Sequence, residues 1–307
     1  MKKSFALLLF CTLCVTLHAQ DAVFFEFSEG IEDPALNSRM ERQISALLTA
    51  INRAETNHTS INYMGIDIDE RTTQSISEMW NVVHFRIMDK DIVEHCFLVK
   101  NSSGAVVGYQ VRNIAVAIKP LDNTYIGGDT NREACVNIDS KGSIIGFNFA
   151  LEHDQWVKII KEGNLLHDLG RRMQILRWLE QFQNAYVVKN IDFMEDFFGR
   201  EPFFRTDEYS KEGEHPCLSN LREVFSDGGY VNVHVDSVAV KRNPSKPYLY
   251  GVTFWHRWSS IAQRDGGVVF TIWDFTDEEH PIILVRAWQP LDVDDDKLFK
   301  MSDFKLP

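Results

Sequence analysis

The 307 residues carry 44 acidic against 32 basic side chains, a formal charge of −12, with 44% hydrophobic residues, seven Trp and 21 Phe. That is enough apolar material to fill two cores, and it rules out a disordered chain. It also speaks against nucleic-acid binding, because no basic block or Lys/Arg stripe offsets the negative surface.

Met1–Gln20 opens with Lys2 and Lys3, continues through the apolar run Phe5–Leu17 and ends in His18-Ala19-Gln20 before Asp21. It reads as a cleavable secretory signal (residues 1–20) whose apolar run is too short to span a bilayer. Cys11 and Cys14 follow Phe10 and Leu13, where a lipoprotein signal needs a small residue, so soluble export to the periplasm or medium is expected, with no transmembrane segment in the mature chain. Removing the signal deletes two lysines and no acid, so −12 becomes −14. Cys96, Cys135 and Cys217 remain, widely spaced and without a CxxC, which indicates no zinc site and at most one disulfide. Cys96 and Cys135 are either bridged or buried as free thiols.

Residues 21–152 read as one α+β domain. After a short acidic leader, Ala35–Ala54 places Leu36, Met40, Ile44, Leu47, Leu48 and Ile51 three and four apart, one apolar stripe on a helix. Glu70–Trp80 is a shorter helix with Asp67–Asp69 near its positive end. Strand-like runs follow at Val82–Ile87, Ile92–Lys100, Tyr109–Lys119 and Glu133–Leu151, the last broken by the hairpin turn Asp139-Ser140-Lys141-Gly142. Strands in succession without helical periods between them predict an antiparallel sheet packed by the two helices.

A second domain is expected over residues 153–290, followed by an acidic tail over 291–307. Glu152–Asn164 is a short helix ending at Gly163-Asn164, where the boundary falls. Leu169, Met173, Leu176, Leu179, Phe182 and Tyr186 then draw a stripe of about five turns. Asn190 caps a further helix through Phe198, and Pro216 opens a third that presents Leu218, Leu221 and Phe225. Four strands close the domain: Tyr230–Arg242, Tyr248–Ser259, Gly267–Phe275 and Pro281–Gln289, separated by turns rich in Pro, Gly, Asn and Asp. Val231, Val233 and Val235 share one side of the first strand while Val238 and Val240 fall on the other, so a β-bulge is predicted near Asp236-Ser237. Helices against the concave side of a bent meander make a cone that can enclose a pocket.

Leu176–Tyr186, the Asn190–Phe198 helix, Trp273-Asp274-Phe275 and Val285–Pro290 resemble the nuclear transport factor 2-like, or SnoaL-like, cone fold: three helices on a curved sheet of four to five antiparallel strands. More narrowly, the whole chain is similar to exported Gram-negative proteins that carry such a domain at the C-terminal end and have no assigned activity. The sequence departs from that pattern at Gly199–Thr206, where Arg200-Glu201-Pro202-Phe203-Phe204 replaces an acidic turn and strand. The N-terminal half repeats the order long helix, short helix, strands, which leaves duplication of the cone open.

The resemblance implies a pocket that binds or turns over a small molecule with Asp, His or Tyr projecting inward. Asp236, His256, Asp274 and Tyr186 are the catalytic candidates, and an Asp beside a His in such a pocket can act as a general base. Against this, the carboxylates of Asp236 and Asp274 sit where they can satisfy backbone donors, and no triad or glycine-bounded nucleophile is present. Trp178, Tyr186, Phe254, Trp273, Arg286 and Trp288 are the candidate lining. Because Leu249, Thr253, Val269 and Ile283 fall on alternate positions, both sheet faces carry apolar residues, so the face away from the helices is expected to pack on the N-terminal domain or on a second copy, as a homodimer. Asp292-Val293-Asp294-Asp295-Asp296 lacks the glycine and the bidentate Glu of a calcium loop and reads as a solvated tail. No metal or cofactor is expected. The leading expectation is an exported, non-enzymatic binding or assembly protein with a small-molecule ligand or a partner; the alternative is an isomerase, hydrolase or cyclase with an Asp/His-lined cone.

Overall fold

The computed structural model describes residues 21–101, 103–121, 130–163, 166–198, 221–223, 225–226, 230–259, 264–277 and 281–290. The expected signal over residues 1–20, Cys217, the expected start of a helix at Pro216 and the acidic residues 291–307 lie outside them. The chain divides into two compact units with the break at Ala150/Leu151, and Lys100–Ala105 clusters with the second.

In the first unit, α1 (Pro34–Asn57) starts where Asp33 accepts hydrogen bonds from the Ala35 and Leu36 amides and Pro34 presets the first turn. It stops at His58, whose left-handed backbone (φ 52) returns its amide to the last turn. Met40, Ile44, Leu47, Leu48 and Ile51 are all buried, as the three-and-four spacing requires. The second helix, α2 (Glu70–Val82), is capped by Asp69, which accepts from the Thr72 amide.

The leader contains a strand the sequence reading missed. β1 (Phe24–Phe27) pairs in parallel with β3 (Asp91–Glu94), which corrects the expectation of a purely antiparallel half. The run Ile92–Lys100 is accordingly two strands, because β4 (Phe97–Lys100) pairs instead with β5 (Val106–Pro120). With β2 (Val83–Ile87), β6 (Asn131–Asp139) and β7 (Ile144–Phe149), the main sheet runs β2-β5-β6-β7 with β4 on β5. The β6–β7 turn is the one expected: Asp139 accepts from the Lys141 and Ser143 amides, and Gly142 supplies the positive φ. Cys96 and Cys135 are free thiols, which resolves the alternatives in favour of no bridge.

The second unit holds α3 (His153–Lys161), α4 (Leu166–Val188) and α5 (Ile191–Phe198) beside the antiparallel meander β8 (Asn232–Arg242), β9 (Leu249–Ser259), β10 (Arg264–Asp274) and β11 (Ile282–Pro290). The order across the sheet is β11-β10-β9-β8. The slip in β8 is a bulge between Asp236 and Ala239, with Ser237 at positive φ and the Val238 amide leaving the ladder for the Gln155 side chain. A second irregularity falls in the β10–β11 pairing at Ile272/Trp273. Bulges in two of the three pairings bend the sheet, so an α+β unit with a curled antiparallel sheet is the observed class.

On the face of this sheet turned away from α4, Leu249, Val268, Phe270 and Ile272 are buried too, so both faces carry buried apolar residues as the alternation implied.

Candidate functional site

Register decides which candidates meet. In β8–β9 pairing Val235 lies opposite His256 and Asp236 opposite Trp255; in β9–β10 pairing Phe254 lies opposite Val269 and Tyr250 opposite Trp273. His256, Phe254, Tyr250 and Trp273 therefore share the face that meets α4, and Asp236 takes the other.

On the α4 face, rings occupy the space between helix and sheet. His256, 2% exposed, sits edge-on to Tyr186 at 4.5 Å and to Phe182 at 5.2 Å between ring centroids. Phe182 also meets Phe254 at 5.8 Å and Tyr186 at 5.0 Å, while Tyr186 reaches Phe225 at 5.7 Å. Trp178 packs between Phe193 and Trp273, and the Trp273 indole donates to the Thr271 hydroxyl at 2.9 Å. Four of the six expected lining residues, Trp178, Tyr186, Phe254 and Trp273, thus stand in ring contacts between α4 and the sheet. Arg286 and Trp288 pair through backbone with Thr271 and Val269, in the rows of Val252 and Phe254; their side chains lie outside the description.

The two carboxylates are elsewhere. Asp236 is ion-paired with Arg257, and His234 Nε2 stands 3.3 Å from it and 3.6 Å from Glu152. Asp274 accepts from the amide and hydroxyl of Thr276, a turn cap of the kind short acidic side chains make. Neither faces His256, so the expected pairing of Asp236 or Asp274 with His256 does not form; the histidine beside Asp236 is His234.

A buried polar cluster that sequence reasoning missed lies at the start of α4. The Tyr250 hydroxyl donates to Asp168 at 2.7 Å, and Arg172 Nε donates to the other Asp168 oxygen at 3.1 Å and from Nη1 to the Ile159 carbonyl at 3.3 Å. Burial, and then the hydrogen bond to Asp168, hold the Tyr250 phenol well above its usual pKa. The signal was available: Asp168 and Arg172 stand four apart on one helix. Every member has a partner, so the cluster serves as a strut.

A groove lies in the first unit. Val23, Phe25 and Phe27 turn their amides toward α1, where Thr49, Ser45 and Glu41 accept them at 2.9, 3.0 and 3.0 Å. A step of two along a strand, about 6.7 Å, nearly matches a step of four along a helix, about 6 Å, so three amides and three acceptors run in step. Beyond this zipper opens a groove of about 570 Å³ over the next turns of α1, between the start of β1 and the segment Thr59–Ile66.

Among the described residues no group of three or more His, Cys, Asp or Glu side chains is placed to hold a metal, and no helix is long and apolar enough to cross a membrane. Burial pushes the Cys96 thiol up to about 12, which makes it a poor nucleophile. No family model matches the chain, and no curated protein matches it. A solved structure of the Bdellovibrio bacteriovorus protein Bd1075 is similar over 58% of this chain and 70% of its own, at 14% identity and a TM-score of 0.33. Similarity at that level defines neither fold nor function. What the fold itself defines is an α+β protein of two units, one with an aromatic cluster between helix and sheet and one with an open groove.

Proposed function

We propose that the protein is an exported binding or assembly protein whose C-terminal unit is a nuclear transport factor 2-like domain used without chemistry. The observation that carries the non-enzymatic part is the separation of Asp236 from His256 on opposite sheet faces, with His256 packed against the Phe182 and Tyr186 rings. General acid–base work requires a titratable group within hydrogen-bond reach of the substrate. Here the carboxylates are committed to Arg257 and to a turn, and His256 is packed among Phe182 and Tyr186. Export rests on the character of Met1–Gln20, and the domain family on the helix-then-meander order.

The test is a turnover panel of lactones, epoxides and ketosteroids run on the purified chain and on Asp236→Ala. No turnover is expected from either. A rate that wild type shows and Asp236→Ala loses would establish the enzymatic alternative. Fractionation of a Gram-negative host expressing the chain with and without residues 1–20 tests export; retention of both forms in the cytoplasm contradicts it.

A further inference from the structure

The groove over α1 joins small residues to large apolar ones. Its floor is the ridge Ala46 and Ala50, and its flanks carry two large apolar side chains held in solvent, Phe24 at 66% and Met64 at 88% exposure. The volume, about 570 Å³, is within the usual range for a small-molecule site. The chain has 44 acids to 32 bases, yet no acid lines the groove; the one charged lining residue is Arg53, on the same face of α1 one turn beyond Ala50. Among the described residues no ion pair engages Arg53.

The polar lining groups are mostly spoken for. Ser45 and Thr49 accept the Phe25 and Val23 amides, Asn62 accepts from the Met64 amide, and Asn57 donates to the Arg53 carbonyl. A ligand rich in hydroxyls would find few partners here, and a cation would meet Arg53. An apolar body with one anionic end fits both constraints: alkyl carbon against Ala46, Ala50, Phe24 and Met64, and a carboxylate on the guanidinium fork.

We propose that this groove binds a single-chain amphiphilic carboxylate, with Arg53 holding the head. The proposal rests on the binding-protein reading and deepens it. Titration calorimetry of the full chain with dodecanoate, below its micelle concentration, is expected to show saturable one-to-one binding. Arg53→Ala is expected to weaken dodecanoate by about tenfold or more while leaving dodecanol binding unchanged, since only the charged contact is lost. Ala50→Leu raises the floor and is expected to weaken both; Phe24→Ser, at an exposed position, does the same by removing a wall. Absence of saturable dodecanoate binding overturns the proposal, as does binding indifferent to Arg53→Ala, or dodecyltrimethylammonium binding as tightly as dodecanoate. In those cases a silent turnover panel would still leave the binding reading standing, whereas turnover lost in Asp236→Ala would overturn that reading independently.

Discussion

The two long helices use one ridge each in opposite ways. On α4 the ridge facing the sheet carries Phe182 and Tyr186, and the sheet answers with Phe254 and His256, whose rings touch them. On α1 the ridge beyond the β1 zipper carries Ala46 and Ala50, and the space above stays open. A bent sheet with helices on one side supplies the outline of a pocket, but side-chain volume decides whether a pocket is there. The resemblance to a cone pointed to the C-terminal unit for binding; the residue sizes point to the N-terminal one.

That contrast can be broken by substitution. The largest effect is expected at Phe182: truncation to Ala should cost about 3–5 kcal/mol in urea unfolding, because the rings around it cannot collapse into the gap. A cost under about 1 kcal/mol would mean the interior is loose. Asp168→Ala should cost about 3 kcal/mol by the same measurement, since it strands the buried Arg172 guanidinium and the Tyr250 hydroxyl. Ser45→Ala removes the acceptor of a β1 amide and should cost about 1 kcal/mol, detected also as faster hydrogen exchange at Phe25.

The phenol of Tyr250 gives a pH prediction with a definite sign. Its folded pKa is raised, so its contribution is complete below the ordinary phenol value of about 10, where both states keep the proton. Above that value the unfolded chain loses a proton the folded chain retains, and stability falls as pH rises. Tyr250→Phe should flatten this alkaline limb in unfolding measured between about pH 9 and 11. The smallest effect is expected at Ala50→Leu, within about 0.5 kcal/mol of wild type, because it projects into the open groove; a large loss there would mean the groove is closed.

Much of the architecture was legible because it depends on local spacing. The meander follows from turn residues between β-branched runs, and the Asp236–Ser237 bulge from a slip in valine parity. Other features depend on partners remote in sequence. The parallel β1–β3 pair was hidden because two β1 amides, and that of Val23 just before the strand, bond to side chains of α1, leaving only four strand residues with no alternating run to betray them. Ile92–Lys100 looked continuous because nothing in its composition marks His95-Cys96 as the crossing between two sheets. The candidate site was misread for the same reason. Asp236 and His256 are each polar residues on neighbouring strands, and only the register shows that they face apart.

The most direct measurement is where an anionic apolar probe lands. Methyl-resolved NMR of the full chain with 1-anilinonaphthalene-8-sulfonate should shift Ala46, Ala50 and Met64 and leave Val235, Val252 and Val269 on the α4 face of the sheet unchanged. Shifts concentrated on those valines, with the α1 alanines silent, would show an accessible pocket in the C-terminal unit and contradict the account.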